Sequence, residues 1–322
     1  MDRAMAADLT QLPWNPRYQE RDWEVVDYLE YEIPGVRMKL RGPAVDPTSG
    51  QYFSAIGAAQ THGTLVQKAF PQQVAEAFKL PVLNFGYPAA NPGYFARQRA
   101  IIDYVNRGSF LILQVMAARA EPNRFNEAQG YCETVRYRET GEILPAIITW
   151  KRLYDEHPGE AASAVRESRE AWIEDNKLLL SQVKVPVIML WISHERYFKD
   201  RIDFVTEFST AEKFMPLRMH FPQFVDAGCV DVVSKLCGEL VVCDSRRNAG
   251  PLLISRFRGE PVVLDSTLID PRYKGVTPPM THNSYYPSQE MHDDAAGMLI
   301  DAVNRMVGKH PSVLPSECNI VS

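Results

Sequence analysis

The chain has 322 residues, 45% of them hydrophobic, and a formal net charge of −5. That is enough apolar material for one large domain or two small ones. No basic stripe or polybasic patch is present, so neither nucleic acid nor a membrane surface is an expected partner.

In chain order, residues 1–48 are mixed polar and aromatic, rich in Pro, Trp and Tyr, and read as an ordered arm packed on a single domain of residues 49–322. The opening "MDRAMAADLTQLPWNPRYQE" lacks a basic stretch followed by an apolar one, so no secretory signal is expected. "YFSAIG" (52–57) reads as a strand, and "FPQQVAEAFKL" (70–80) as a helix with Val74, Ala77 and Phe78 on one face. "PVLNFG" (81–86) is a second strand, and residues 93–108 form one helix that stops at Gly108. "SFLILQVM" (109–116) is a third strand whose unbroken apolar run implies burial on both faces. Residues 119–149 show no clear period, and 159–183 is a long helix; together they suggest a helical insertion at about 119–182. "VPVIMLWIS" (185–193) is a fourth strand, too short to span a bilayer. A helix (224–238), a fifth strand (239–245), a short extra strand at 261–266 and a closing helix (288–308) complete the chain.

Strands alternating with helices predict an α/β fold. The expected form is a three-layer αβα, flavodoxin-like parallel sheet of about five strands. In such sheets ligands bind beyond the carboxyl ends of the strands. That rule selects 57–63, 86–94, 116–125, 193–199 and the residues before the last helix. These segments carry Gln60, Thr61, His62, Asn91, Arg119, Asn123, Arg124, His194, Glu195, Arg196, His282, Tyr285 and Tyr286. His62 is placed where it could work as acid or base near neutral pH; the competing reading is a loop histidine bonded to backbone. Arg119 and Arg124 suit a carboxylate, phosphate or sulfate, or else a structural ion pair. Gln60 and Thr61 line the first turn, where Thr61 more often satisfies local backbone. His194 and His282 are rim candidates, and the tyrosines are stacking surfaces for a sugar ring or ordinary packing.

Four short blocks within residues 50–306 resemble the SGNH, or GDSL-like, hydrolase superfamily. "GAAQTHG" keeps Gly57, Thr61 and Gly63 of its first block. "NFGYPAANPG" puts Gly86 at the oxyanion-hole glycine. "QVMAARAEPNRF" offers Asn123, displaced by several residues, for the oxyanion asparagine. "NSYYPSQEMH" keeps Pro287, Ser288 and His292. The resemblance puts Ala59 at the nucleophile, Asn283 at the triad aspartate and Tyr286 at the triad histidine, so the chain is similar to a degenerate member without the serine. With hydroxyl, acid and base all replaced, ordinary ester hydrolysis is unsupported. The first three of these blocks also resemble an uncharacterised bacterial family with an SGNH-like core, associated with surface-polysaccharide and sulfotransferase-type gene neighbourhoods.

The expected function is therefore group transfer or hydrolysis on a polar, carbohydrate-linked substrate without a serine nucleophile. The alternative is a non-catalytic glycan-binding or assembly protein. His62, Asn123, Arg119 and His292 are the catalytic candidates. Ala59, Gln60, Thr61, Gly86, Asn91, Arg124, His194, His282 and Tyr286 are the binding candidates. No metal is expected, because no H-x-x-x-H or H-E-x-x-H spacing occurs, and no cofactor, because the phosphate-loop and G-x-G-x-x-G patterns are absent. Five cysteines with no C-x-x-C pair suit free thiols in a reducing cytoplasm. Arms of this kind often pack on a neighbouring subunit, which leaves a homo-oligomer open.

Overall fold

The computed structural model describes residues 17–129, 134–194, 221–268, 279–309 and 314. Cys132, Cys318, Glu195 and Arg196 lie outside them. Five parallel strands form one sheet: β1 (Phe53–Gly57), β2 (Val82–Gly86), β3 (Leu111–Gln114), β7 (Val187–Ile192) and β8 (Glu239–Cys243). Their order is β2-β1-β3-β7-β8, with Gly57 opposite Gly86 and Ile56 opposite Leu113.

The alternation of side chains along each strand sends residues to two separate cores. Ile56, Leu111, Leu113, Met189 and Trp191 pack to one side. There they meet α4 (Pro92–Ala96), α5 (Arg99–Val105), α7 (Ala161–Gln182) and α8 (Ala227–Ser234). Phe53, Ala55, Ile112, Ile188, Leu190 and Ile192 pack to the other, against α3 (Phe70–Phe78) and α9 (Gln289–Lys309). Burial on both faces explains why these strands read as continuous apolar runs. Among the described residues no helix is long and apolar enough to cross a membrane.

Three differences from the sequence reading stand out. Residues 93–108 do not form one helix. The chain breaks between α4 and α5, where Arg97 Nη1 donates to the Gly93 carbonyl and its guanidinium binds Asp175 of α7. The insertion is not purely helical. It begins with a three-stranded antiparallel sheet of β4 (Asn126–Ala128), β5 (Thr134–Tyr137) and β6 (Ile143–Pro145), followed by α6 (Ala146–Glu156) and α7. Residues 261–266 contribute isolated bridges, Ile254 to Pro261 and Leu264 to Met280, rather than a strand.

The insertion is tied to the loop that follows β3. The Trp150 indole of α6 donates to the Arg119 carbonyl at 2.7 Å, and the Trp172 indole of α7 donates to the Met116 carbonyl at 2.9 Å. The N-terminal segment is tied down as well. Tyr28 is fully buried, and its hydroxyl donates to Asp22 of α1 (Tyr18–Asp22) at 2.6 Å.

Candidate functional site

The short helix α2 (Ala59–His62) follows β1 at once. The turn is tight because Gly57 admits it: a Cβ there would meet Thr61 Oγ1 and come within 2.5 Å of Gln114 Oε1. Gln114 instead accepts from the Ala58 N–H at 2.8 Å and the Thr61 hydroxyl at 3.3 Å. Beneath α2, Arg41 is buried and donates to four carbonyls, those of His62, Gly63, Val66 and Gln67. Burial pulls its pKa down to about 10, which leaves it charged at neutral pH. This clamp fixes the backbone at the carboxyl end of β1.

Above that end lies a cavity of about 670 Å3. Its floor is Ala58, Ala59 and Gln60, flanked by Ala89–Asn91 after β2 and by Ala117, Arg119 and Ala120 after β3. Tyr18 and Arg21 of α1, Ile147 of α6, and Phe221 and Gln223 add walls. Residues 279–282 and 284–286, with Ser266, close the rest. A second cleft of about 770 Å3, lined by residues between Pro43 and Val82, sits at the amino ends of β1 and β2. The first cavity is the better candidate, because parallel sheets present ligand sites at their carboxyl ends.

Of the thirteen catalytic and binding candidates, six line this cavity, Ala59, Gln60, Asn91, Arg119, His282 and Tyr286, and Tyr285 lines it beside them. Gln60 is 1% exposed, and its Oε1 is buried without a hydrogen-bond partner. Asn91 caps α4, its Oδ1 accepting from the Tyr94 N–H at 2.8 Å. His282 is on the exposed rim, its Nδ1 2.9 Å from the Thr281 hydroxyl. Tyr286 meets the Tyr285 ring edge-on at 4.9 Å, and the Tyr285 hydroxyl accepts from Gln223 Nε2 at 2.9 Å.

The other seven are turned elsewhere, each with a local partner. His62 is buried under α2 with its ring edge-on to Tyr28 at 4.3 Å and Nδ1 3.3 Å from the Thr64 hydroxyl. Burial, then the charges of Arg41 and Arg21, hold its pKa well below the usual histidine range, so it is a neutral packing residue. Thr61 is spent on Gln114. Gly86 is a contact point: a Cβ would meet His62 N and lie 2.6 Å from His62 Cα and the Thr61 carbonyl carbon. Its N–H donates to Asn84 Oδ1 at 2.8 Å, so it is not free to hold an oxyanion.

Asn123 organises its own loop, accepting from the Phe125 and Asn126 N–H groups and donating to Ser168. Arg124 pairs with Glu160 and Glu167 on the surface. His194 Nε2 donates to the Tyr286 carbonyl at 2.7 Å. His292 is fully buried and stacks on Phe70, with its Nδ1 accepting from the Phe70 N–H at 3.1 Å. Burial, then Arg41, pull its pKa down to about 3.

Asn283, at the position the resemblance gives to the triad acid, accepts from the Tyr286 N–H at 2.9 Å and acts as a turn residue. Cys229, Cys237 and Cys243 are free thiols, and none lines the cavity. Burial pushes Cys229 and Cys237 up to about 12. Glu139, Glu156 and His157 approach one another closely enough to hold a metal ion, but none of them lines the cavity and Glu156 already pairs with Arg152.

Sequence reasoning missed Arg21, Tyr18, Gln223 and Ser284. Arg21 and Tyr18 come from the arm, which carries no motif, and neither Gln223 nor Ser284 sits in a recognisable block. Among the described residues the lining holds amides, hydroxyls, aromatic rings, one imidazole and two guanidinium groups, with no carboxylate, lysine or thiol. Residues 17–129 match the model of a domain of unknown function, DUF6473. No curated protein and no solved structure matches the chain.

Proposed function

We propose that the protein binds a polar, carbohydrate-linked ligand in the cavity above β1, without forming an acyl-serine. The observation that carries this reading is the composition of the lining. Tyr18, Tyr285 and Tyr286 offer ring surfaces, and Gln60, Asn91, Gln223, Ser266 and Ser284 offer amides and hydroxyls. Apolar faces beside a few polar groups suit a polyhydroxylated ring, which has both. Small residues at Ala58, Ala59, Ala89 and Ala90 leave the floor open to a close approach. The SGNH-like alignment supports this reading, because Ala59, Asn283 and Tyr286, at its triad positions, cannot supply a nucleophile, an orienting acid and a base.

One feature favours a second reading, group transfer on the same ligand. His282 stands on the cavity wall and is the acid/base candidate that His62 is not.

Calorimetric titration with neutral mono- and oligosaccharides tests both readings. Binding to the wild type is expected, with at least a tenfold loss in Ala59→Phe, which fills the floor. Absence of carbohydrate binding, or equal binding by Ala59→Phe, defeats the assignment. For group transfer, nucleotide-sugar turnover followed by NMR should vanish in His282→Ala while binding persists.

A further inference from the structure

We propose that Arg21 forms an oxyanion subsite in this cavity, so that the ligand carries an acidic group, a carboxylate or a sulfate or phosphate ester. The proposal rests on the carbohydrate reading for the rest of the ligand. It follows from how the Arg21 side chain is used.

Arg21 lines the cavity, yet its side chain is only 2% exposed. Its Nε donates to Asp22 Oδ1, and its Nη2 donates to Asp22 Oδ2 at 2.9 Å. Asp22 is fully buried and also accepts from the Tyr28 hydroxyl at 2.6 Å. That hydroxyl in turn accepts from the Leu65 N–H at 3.0 Å. One edge of the guanidinium is therefore held rigidly from behind.

Nη1 takes part in none of these hydrogen bonds; the guanidinium's other contact among the described residues is the face of Tyr18, whose ring centroid lies 5.0 Å from Cζ. A guanidinium has five N–H donors in a fixed fork. With Nε and one Nη2 hydrogen committed, Nη1 and the second Nη2 hydrogen remain as a parallel pair, the geometry that receives two oxygens of one oxyanion. A structural ion pair alone would need only the Asp22 edge.

The sign of the surroundings agrees. Arg119 brings a second guanidinium to the same lining, and no carboxylate appears among the described lining residues. Arg21 also keeps its charge: burial, the largest single influence, works against it, but Asp22, Tyr286 and Tyr18 together hold its pKa above the usual arginine value.

The test is calorimetric titration, at low and at physiological salt, of galactose, galacturonate, galactose 6-sulfate and galactose 6-phosphate, with inorganic sulfate and phosphate alongside. The proteins are wild type and Arg21→Met/Asp22→Leu, which removes the ion pair without leaving a buried charge unpaired. If that variant does not fold, Arg21→Lys replaces it, keeping the charge but losing the fork. In wild type, at least one acidic sugar should bind tenfold or more tighter than galactose. The tightest of them names the acidic group. The preference should fall to within twofold in the double variant, or at least fivefold in Arg21→Lys, read as the ratio of acidic-sugar to galactose affinity within each protein.

Equal binding of neutral and acidic sugars by wild type, or a preference that survives in the variants, overturns the subsite and leaves the carbohydrate reading standing. Arg21-dependent binding of sulfate or phosphate with no sugar bound supports the subsite and defeats the carbohydrate reading. No binding by any probe defeats both.

Discussion

Replacing Gly86 by alanine tests whether this glycine is a packing contact or an oxyanion donor. The added Cβ would meet His62 N and lie 2.6 Å from His62 Cα and the Thr61 carbonyl carbon. These are backbone atoms, so no side-chain rotation relieves the contact, and α2 has to move by about 1 Å to restore ordinary separations. That movement strains the bonds from Asn84 Nδ2 to the Thr61 carbonyl (2.9 Å) and from Arg41 to the His62 and Gly63 carbonyls (3.0 and 2.6 Å). Overpacking of about 1–3 kcal/mol plus three weakened bonds of about 1 kcal/mol each gives a loss of about 4–6 kcal/mol. For a chain of 322 residues that is a melting-point drop of about 6–9 °C. Urea unfolding measures it, with Gly159→Ala as the control, since a Cβ there meets nothing within 4 Å. Alanine keeps the backbone N–H, so an oxyanion role alone would leave stability unchanged. A loss under about 0.5 kcal/mol, within the range of neutral surface changes, would refute the packing argument.

Three further outcomes are expected. His62 and His292 are held neutral in the fold, while in the unfolded chain they titrate near 6.5. Below that pH the unfolded state takes up protons the native state refuses. Stability is therefore full above pH 6.5 and falls as pH drops, by about 2 kcal/mol between pH 7 and pH 5 for His292, with His62 acting in the same direction; urea titrations of wild type and His292→Gln should differ by the His292 contribution, and identical pH slopes would contradict the assignment. Asn84→Ala leaves the Gly86 N–H and the Thr61 carbonyl without their partner, and should cost about 2 kcal/mol in the same assay. Arg41→Lys cannot span four carbonyls with one ammonium and should lose about 2–3 kcal/mol despite keeping its charge; a wild-type melting curve would show that the clamp is dispensable.

The parallel sheet was legible because its strands are buried on both faces, so "LILQ" and "VIMLWI" read as apolar runs with no competing period. The antiparallel sheet of the insertion was not. Its strands are three or four residues long, and "NEA" carries no alternation to detect. The available signal was Gly141, whose φ of 73° marks the turn between β5 and β6. The break between α4 and α5 was hidden because local propensity runs straight through "FARQRA". Only the contacts of Arg97 with Asp175 and of Gln182 with the Ala96 carbonyl reveal it.

For the site, the carboxyl-end rule found the correct loops but not the direction of each side chain. On α2 successive residues rotate by about 100°, so Ala59 and Gln60 face the cavity while Thr61 and His62 face the core. A motif read as a string cannot separate those two sides. Arg21 was missed for a different reason: it reaches the cavity from the N-terminal segment, and nothing local in "YQERD" distinguishes it from a surface arginine.

The central claim is that the cavity above β1 is the ligand site. Methyl NMR on protein labelled at alanine, isoleucine and methionine, titrated with neutral and acidic sugars, tests it most directly. The account predicts saturable shifts at Ala59, Ala90, Ile147 and Met280, all of which line the cavity. Shifts confined to Ala44 and Ala75, in the cleft at the opposite end of the sheet, or no shifts at all, would contradict it.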